Sequence, residues 1–146
     1  MQLFTIGFTK KSAEEFFRLI MENEIDILVD VRLNNQSQLA GFTKGKDLEY
    51  FLQKICHCKY EHNLLFAPTK EILREYRDKK ITWEDYVVQY NNLITERNMV
   101  GVFCEKYSMY NKILLLCSEQ TEKFCHRRLL AEKLKEACDN LTIIHL

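Results

Sequence analysis

Eleven residues, "CSEQTEKFCHR" from Cys117 to Arg127, hold two thiols, two carboxylates, an imidazole and a guanidinium. A thiol beside an imidazole or a guanidinium ionises more easily and becomes a nucleophile at neutral pH. An imidazole and a carboxylate in reach of it can move protons. Cys117, Glu119 and His126 are therefore the candidate catalytic groups, with Cys125 and Arg127 as candidate ligand-binding groups. Each residue also has a plainer role: Cys117 as core filler, His126 as an imidazole satisfied by a strand carbonyl, Glu119 as a solvated loop acid. A second charged pair, Asp30 and Arg32 in "LVDVR", alternates with valines and shares one strand face. Arg32 is either half of a structural ion pair or an anion clamp.

Cys117, Cys125 and His126 are also soft metal ligands, as are Cys56, His57 and Cys58. Cysteine and histidine at C-x7-C-H spacing do not match a familiar zinc pattern, and adjacent side chains at 56–58 diverge. No metal is expected.

The elements that must position these groups alternate along the chain. Runs suited to strands are "LFTIGF" (3–8), "DILVDVR" (26–32), a weaker "KYEHNLLFA" (59–67), "KILLLCS" (112–118) and "LTIIHL" (141–146). Helical spacing occupies the stretches between, opened by Ser12 with Glu15, by Thr69, and by Thr82 with Asp85. Residues 33–45 read as a loop. The last helix is expected from about Glu122 to Ala137, with His126, Arg127, Leu130, Leu134 and Ala137 on one stripe. Its first turn then faces the strand ends, and Cys125 falls off the stripe if the helix is already regular there. The reading is one α/β domain over residues 1–146, three layers deep, its sheet mostly parallel with helices on both faces. In such folds ligands bind outside the carboxyl ends of the strands, where Thr9, Asp30, Arg32 and Cys117 all fall.

Composition narrows the partners. Twenty-one basic residues balance twenty-one acidic ones among 146, so no global field recruits nucleic acid or an anionic membrane. No apolar run nears the ~20 residues that span a bilayer. Six scattered cysteines read as reduced thiols of a cytoplasmic protein. There is no G-x-G-x-x-G, P-loop, G-x-S-x-G or H-E-x-x-H, so no cofactor is assigned. The aromatics Trp83, Tyr86 and Tyr90 read as core, and "REYRDKK" as a solvated helix face.

Several segments together resemble the domain-of-unknown-function family numbered 488: "FTIGFT", "LVDVR", the loop from Ser37 to Phe42, "WEDYVVQY" and "LLCSEQTEKFCHRRLLAEKL". The last, L-C-x-E followed by C-H-R and a leucine-rich helix, is the most specific. The resemblance implies a compact α/β domain with polar residues grouped at one end of the sheet. It places motif positions on Gly7, Thr9, Asp30, Arg32, Ser37, Phe42, Cys117, Glu119, Cys125, His126 and Arg127. Phe8 stands where the family commonly has histidine, and Thr9 where it has serine. The functional expectation is a small anionic or nucleotide-like ligand held at Thr9, Asp30, Arg32, Ser37, Cys125 and Arg127. Thiol or acid–base chemistry would come from Cys117, Glu119 and His126. The alternative is a non-catalytic module for nucleic acid or a protein partner.

Overall fold

A computed structural model describes every residue except Gln38. Five strands form one sheet: β1 (Gln2–Gly7), β2 (Ile27–Asp30), β3 (Lys59–His62), β4 (Lys112–Cys117) and β5 (Thr142–His145). Their spatial order is β3-β2-β4-β1-β5, and every pairing is parallel. Among the described residues six α-helices connect them: α1 (Ala13–Glu22), α2 (Gly45–Phe51), α3 (Lys70–Arg77), α4 (Trp83–Glu96), α5 (Met99–Tyr107) and α6 (His126–Ala137). The domain is α/β, as the alternation predicts.

Strand alternation splits the core in two. Leu28, Leu114 and Leu116 face Phe16, Phe17 and Ile20 of α1 and Leu48 of α2. Ile27, Val29, Ile113 and Leu115 face Tyr90 of α4, Phe103 of α5 and Leu130 and Leu134 of α6. Because both sheet faces are covered, β4 is continuously apolar and buried from Ile113 to Cys117 rather than alternating. The right-handed crossover explains the sorting: connections that step towards β3 lie on one face, and those that step back lie on the other. Chain direction therefore reverses between neighbouring β2 and β4, one leading towards β3 and the other towards β5. A crevice opens at their carboxyl ends.

Local sequence sets the helix starts. Ser12 accepts a hydrogen bond from the Glu15 N–H, and Thr69 does so from the Ile72 N–H. Thr82 and Asp85 form a complete reciprocal capping box. Four expectations need correction. Strand β3 stops at His62, where Asn63 takes over and caps a short 3-10 turn over Leu64–Phe66. The loop at 33–45 is shorter than expected, since a 3-10 turn at Gly41–Thr43 leads directly into α2. Helix α6 begins at His126 and not near Glu122, because Cys125 has an extended backbone (φ −138°, ψ 137°) and serves as its N-cap. Ala137, expected on the buried stripe, is exposed.

Candidate functional site

Strand β4 delivers Cys117 to the β2–β4 crevice, and the first turn of α6 delivers His126. Their approach is held from three directions. The His126 Nε2 lies 2.8 Å from the Val31 carbonyl oxygen just past β2, while Nδ1 lies 3.7 Å from Cys117 Sγ. A carbonyl only accepts, so Nε2 carries a proton and donates it. The Nδ1 position is then the one that shares a proton with the thiol. The Tyr90 ring closes edge-on against the imidazole at 5.3 Å between centroids, and its hydroxyl donates to the Phe66 carbonyl at 2.7 Å.

Cys125 completes the cluster. Off the helix, its side chain is free to turn inward, and Cys117 Sγ, Cys125 Sγ and a His126 ring nitrogen lie within 4.8 Å of one another. Cys125 would fall off the stripe only in a helix already regular at that position, and its extended backbone removes that condition. Arg127 is buried behind it, donating from Nη1 to the Glu119 carbonyl at 2.8 Å and to Cys125 Sγ at 3.3 Å. Its Nε is buried without a hydrogen-bond partner among the described residues.

Charge is distributed unevenly over this cluster. The hydrogen bond from Cys125 holds the Cys117 thiol well below its ordinary value, helped by His126 and Arg127 and opposed by desolvation. Burial, with Cys117 as hydrogen-bond partner, pushes the Cys125 thiol well up. For His126 burial disfavours charge, but the charge and hydrogen bond of Cys117 outweigh it and raise the imidazole. Burial, then the nearby Cys117, raises the Glu119 carboxyl. The cluster therefore favours a Cys117 thiolate facing a His126 imidazolium, with Cys125 kept as a thiol.

These groups form the floor of a cavity of about 430 Å³ that also touches Ser118, Glu119 and Phe124. That volume lies in the range that accommodates small ligands. Helix α3 contributes Lys70, Arg74 and Arg77 to its wall, three exposed cations at i, i+4 and i+7. The run "REYRDKK", read as a solvated helix face, in part lines this cavity. Its signal was the 70–74–77 spacing, which puts three cations on one helix stripe. Tyr86 adds an aromatic wall, and Phe124 at the loop tip packs edge-on against Trp83, 5.5 Å between centroids.

Other expected site residues hold the scaffold. Arg32 is 3% exposed, and its Nε and Nη2 grip both Asp30 carboxylate oxygens at 2.8 and 2.6 Å. Nη2 also donates to the Thr43 carbonyl at 2.7 Å, and Tyr60 donates to Asp30 at 2.8 Å. The ion pair of the first reading is present, and Arg32, unlike Asp30, also stands among the residues lining the cavity. Thr9 Oγ1 donates to the Ser118 carbonyl at 2.6 Å, pinning the loop that leaves Cys117. Ser37 accepts from the Leu39 N–H at 3.3 Å on the loop before α2. Thr9, Asp30, Ser37 and Arg127 do not line the cavity. Phe8 is buried in the α1-side core, its ring 5.4 Å from the Arg32 guanidinium carbon, so the departure from histidine there falls outside the cavity lining.

Among the described residues, Cys117, Cys125 and His126 form the metal-competent group found. A soft cation such as Zn²⁺ could reach all three. The buried Arg127 guanidinium on Cys125 sets a fixed positive charge against one of those ligands, and suits a thiolate better than a dication. Cys56, His57 and Cys58 diverge: His57 is left-handed (φ 52°), Cys58 is buried, and Cys56 points to the Phe17 carbonyl.

A parallel α/β domain with a thiol–imidazole cluster at its β2–β4 crevice is the class that fold and site define. The chain belongs to the family described as "Domain of unknown function DUF488", whose model matches residues 12–134. No curated protein and no solved structure matches it. Among the described residues, no helix is long and apolar enough to cross a membrane.

Proposed function

We propose that this protein is a thiol enzyme for a small anionic substrate, with Cys117 as nucleophile. The observation that carries the reading is the 3.7 Å approach of Cys117 Sγ to His126 Nδ1 on a cavity floor, with the other imidazole nitrogen tied to the Val31 carbonyl. That arrangement leaves the imidazole one task at Nδ1: to take the thiol proton and return it to a leaving group. Glu119, exposed at the rim with its carboxyl raised, is the second proton-handling group. Lys70, Arg74 and Arg77 attract the anion, and Tyr86 and Phe124 offer it apolar surface. In this reading Arg32 and Arg127 are positioning residues. The balanced net charge argues against an extended nucleic-acid surface and fits a local anion site.

Peptide-mapped alkylation at pH 7 tests the reading. Iodoacetate should modify Cys117 roughly tenfold faster than an unperturbed cysteine, since only a few per cent of ordinary thiol is ionised there. It should also gain on neutral iodoacetamide at Cys117, relative to Cys104. If Cys117 reacts no faster than Cys104 with either reagent, the nucleophile role fails.

A further inference from the structure

The single-thiol reading gives Cys125 no part in making or breaking bonds, although its sulfur lies within 4.8 Å of both the Cys117 sulfur and a His126 ring nitrogen. Cys117 is the last residue of β4 and Cys125 the N-cap of α6, so they face each other across the seven-residue loop 118–124. Both are buried, both line the same cavity, and their sulfurs lie within 4.8 Å. A disulfide needs the sulfurs at ~2.05 Å. Cys125 can supply that movement because its extended backbone lies outside the helical dihedrals of α6. The Cys125 thiol already receives an N–H from Arg127 at 3.3 Å, a donor that stabilises the thiolate as it forms.

We propose that Cys117 and Cys125 form a dithiol–disulfide couple, Cys117 attacking one sulfur of a small anionic disulfide and Cys125 resolving the product. The proposal rests on the reading of Cys117 as nucleophile and deepens it by naming the substrate class. In the first step the Cys117 thiolate attacks a disulfide R–S–S–R′. The Cys117–S–S–R bond forms, the S–S bond of the substrate breaks, and R′S⁻ takes the proton of the His126 imidazolium. Neutral His126 then removes the Cys125 proton. The Cys125 thiolate attacks Cys117 Sγ, and RS⁻ leaves with that same proton. Two thiols of the protein are oxidised to one disulfide, and one substrate disulfide is reduced to two thiols. A low-molecular-weight dithiol resets the couple. The different protonation of the two sulfurs suits this division: the attacker is held as thiolate and the resolver as thiol until its turn.

The test uses the full chain with Cys104→Ser, because Cys104 and Cys138 sulfurs lie 3.6 Å apart and could themselves oxidise. One equivalent of 5,5′-dithiobis(2-nitrobenzoate), a disulfide with two carboxylates, is added at pH 7. Released thionitrobenzoate is read by absorbance, and the products by intact mass and peptide mapping. Two equivalents of thionitrobenzoate and a Cys117–Cys125 cross-linked peptide are expected. With Cys125→Ala one equivalent is expected, with a mixed disulfide kept on Cys117. A persistent adduct on Cys117 with free Cys125 in the unsubstituted pair overturns the couple and leaves the nucleophile reading standing. Faster labelling of Cys56 or Cys58 than of Cys117 overturns both. Native mass spectrometry showing a stoichiometric metal ion that blocks both thiols also overturns both.

Discussion

Gly7 and Glu119 touch through their backbones: a Cβ built on residue 7 would sit 1.6 Å from the Glu119 carbonyl oxygen. Residue 7 closes β1, and Glu119 lies two residues beyond β4, so the contact sets how the loop after Cys117 leaves the sheet. The same carbonyl accepts from Arg127, which in turn donates to Cys125. A glycine on one strand therefore helps fix the distance between two thiols elsewhere.

Gly7→Ala should displace that loop, since the clash is with backbone and not with a flexible side chain. Overpacking of this kind costs ~1–3 kcal/mol. Urea unfolding should show the loss, and Cys117 alkylation should slow towards that of an ordinary thiol. A variant with unchanged midpoint and unchanged Cys117 reactivity would show that the contact is not structural.

The buried Asp30–Arg32 pair should behave as a unit. Removing one partner leaves an uncompensated buried charge and costs ~3–5 kcal/mol. Arg32→Met and Asp30→Asn should each fall in that range, and the double variant should cost clearly less than their sum. A double-mutant cycle in denaturant reads the coupling; additivity would contradict the bidentate geometry.

The pH profile of Cys117 should follow its partner. With the thiol lowered and the imidazole raised, a thiolate–imidazolium window opens between the two folded-state values. Alkylation should therefore stay fast well below pH 8.5, where a free thiol would already be largely protonated. The raised His126 contributes stability that is fully present below the unfolded value near 6.5 and is lost as pH rises through its higher folded value. His126→Gln removes the imidazolium and should move the alkylation profile to higher pH by about one unit or more. An unmoved profile would assign the thiolate to Cys125 and Arg127 alone.

Charge reversal on α3 should separate attraction from reactivity. Arg74 and Arg77 are exposed, so Arg74→Glu with Arg77→Glu should change stability by no more than ~0.5 kcal/mol per site. The advantage of iodoacetate over iodoacetamide at Cys117 should fall severalfold, while iodoacetamide alone reacts as before. An equal effect on both reagents would place the change in the thiol and not in the anion path.

Much of the fold was legible because its signals are local. Periodicity marks β4 as a strand and α6 as a helix from residues close in sequence, and Thr82 with Asp85 announces α4 by a bond spanning three residues. The start of α6 was misplaced because "EQTEKF" has helix-compatible residues, whereas the chain there is committed to the Phe124–Trp83 contact and the Gly7–Glu119 approach. Neither contact leaves a periodic trace. Arg32 illustrates the same limit: alternation put it beside Asp30, but only Thr43 and Tyr60 complete the pocket that consumes its charge.

By itself the sequence determined the alternation of strands and helices, the parallel α/β class, and the residues with chemistry to offer near Cys117 and His126. Those properties depend on neighbours within a turn or a strand. Only tertiary structure decided that Cys125 turns inward, that Asp30 holds Arg32 and the Glu119 carbonyl holds Arg127, and that α3 supplies the basic wall. Each of these depends on where distant segments stop when the two sheet faces are packed, and close packing, unlike periodicity, is a property of pairs far apart in the chain.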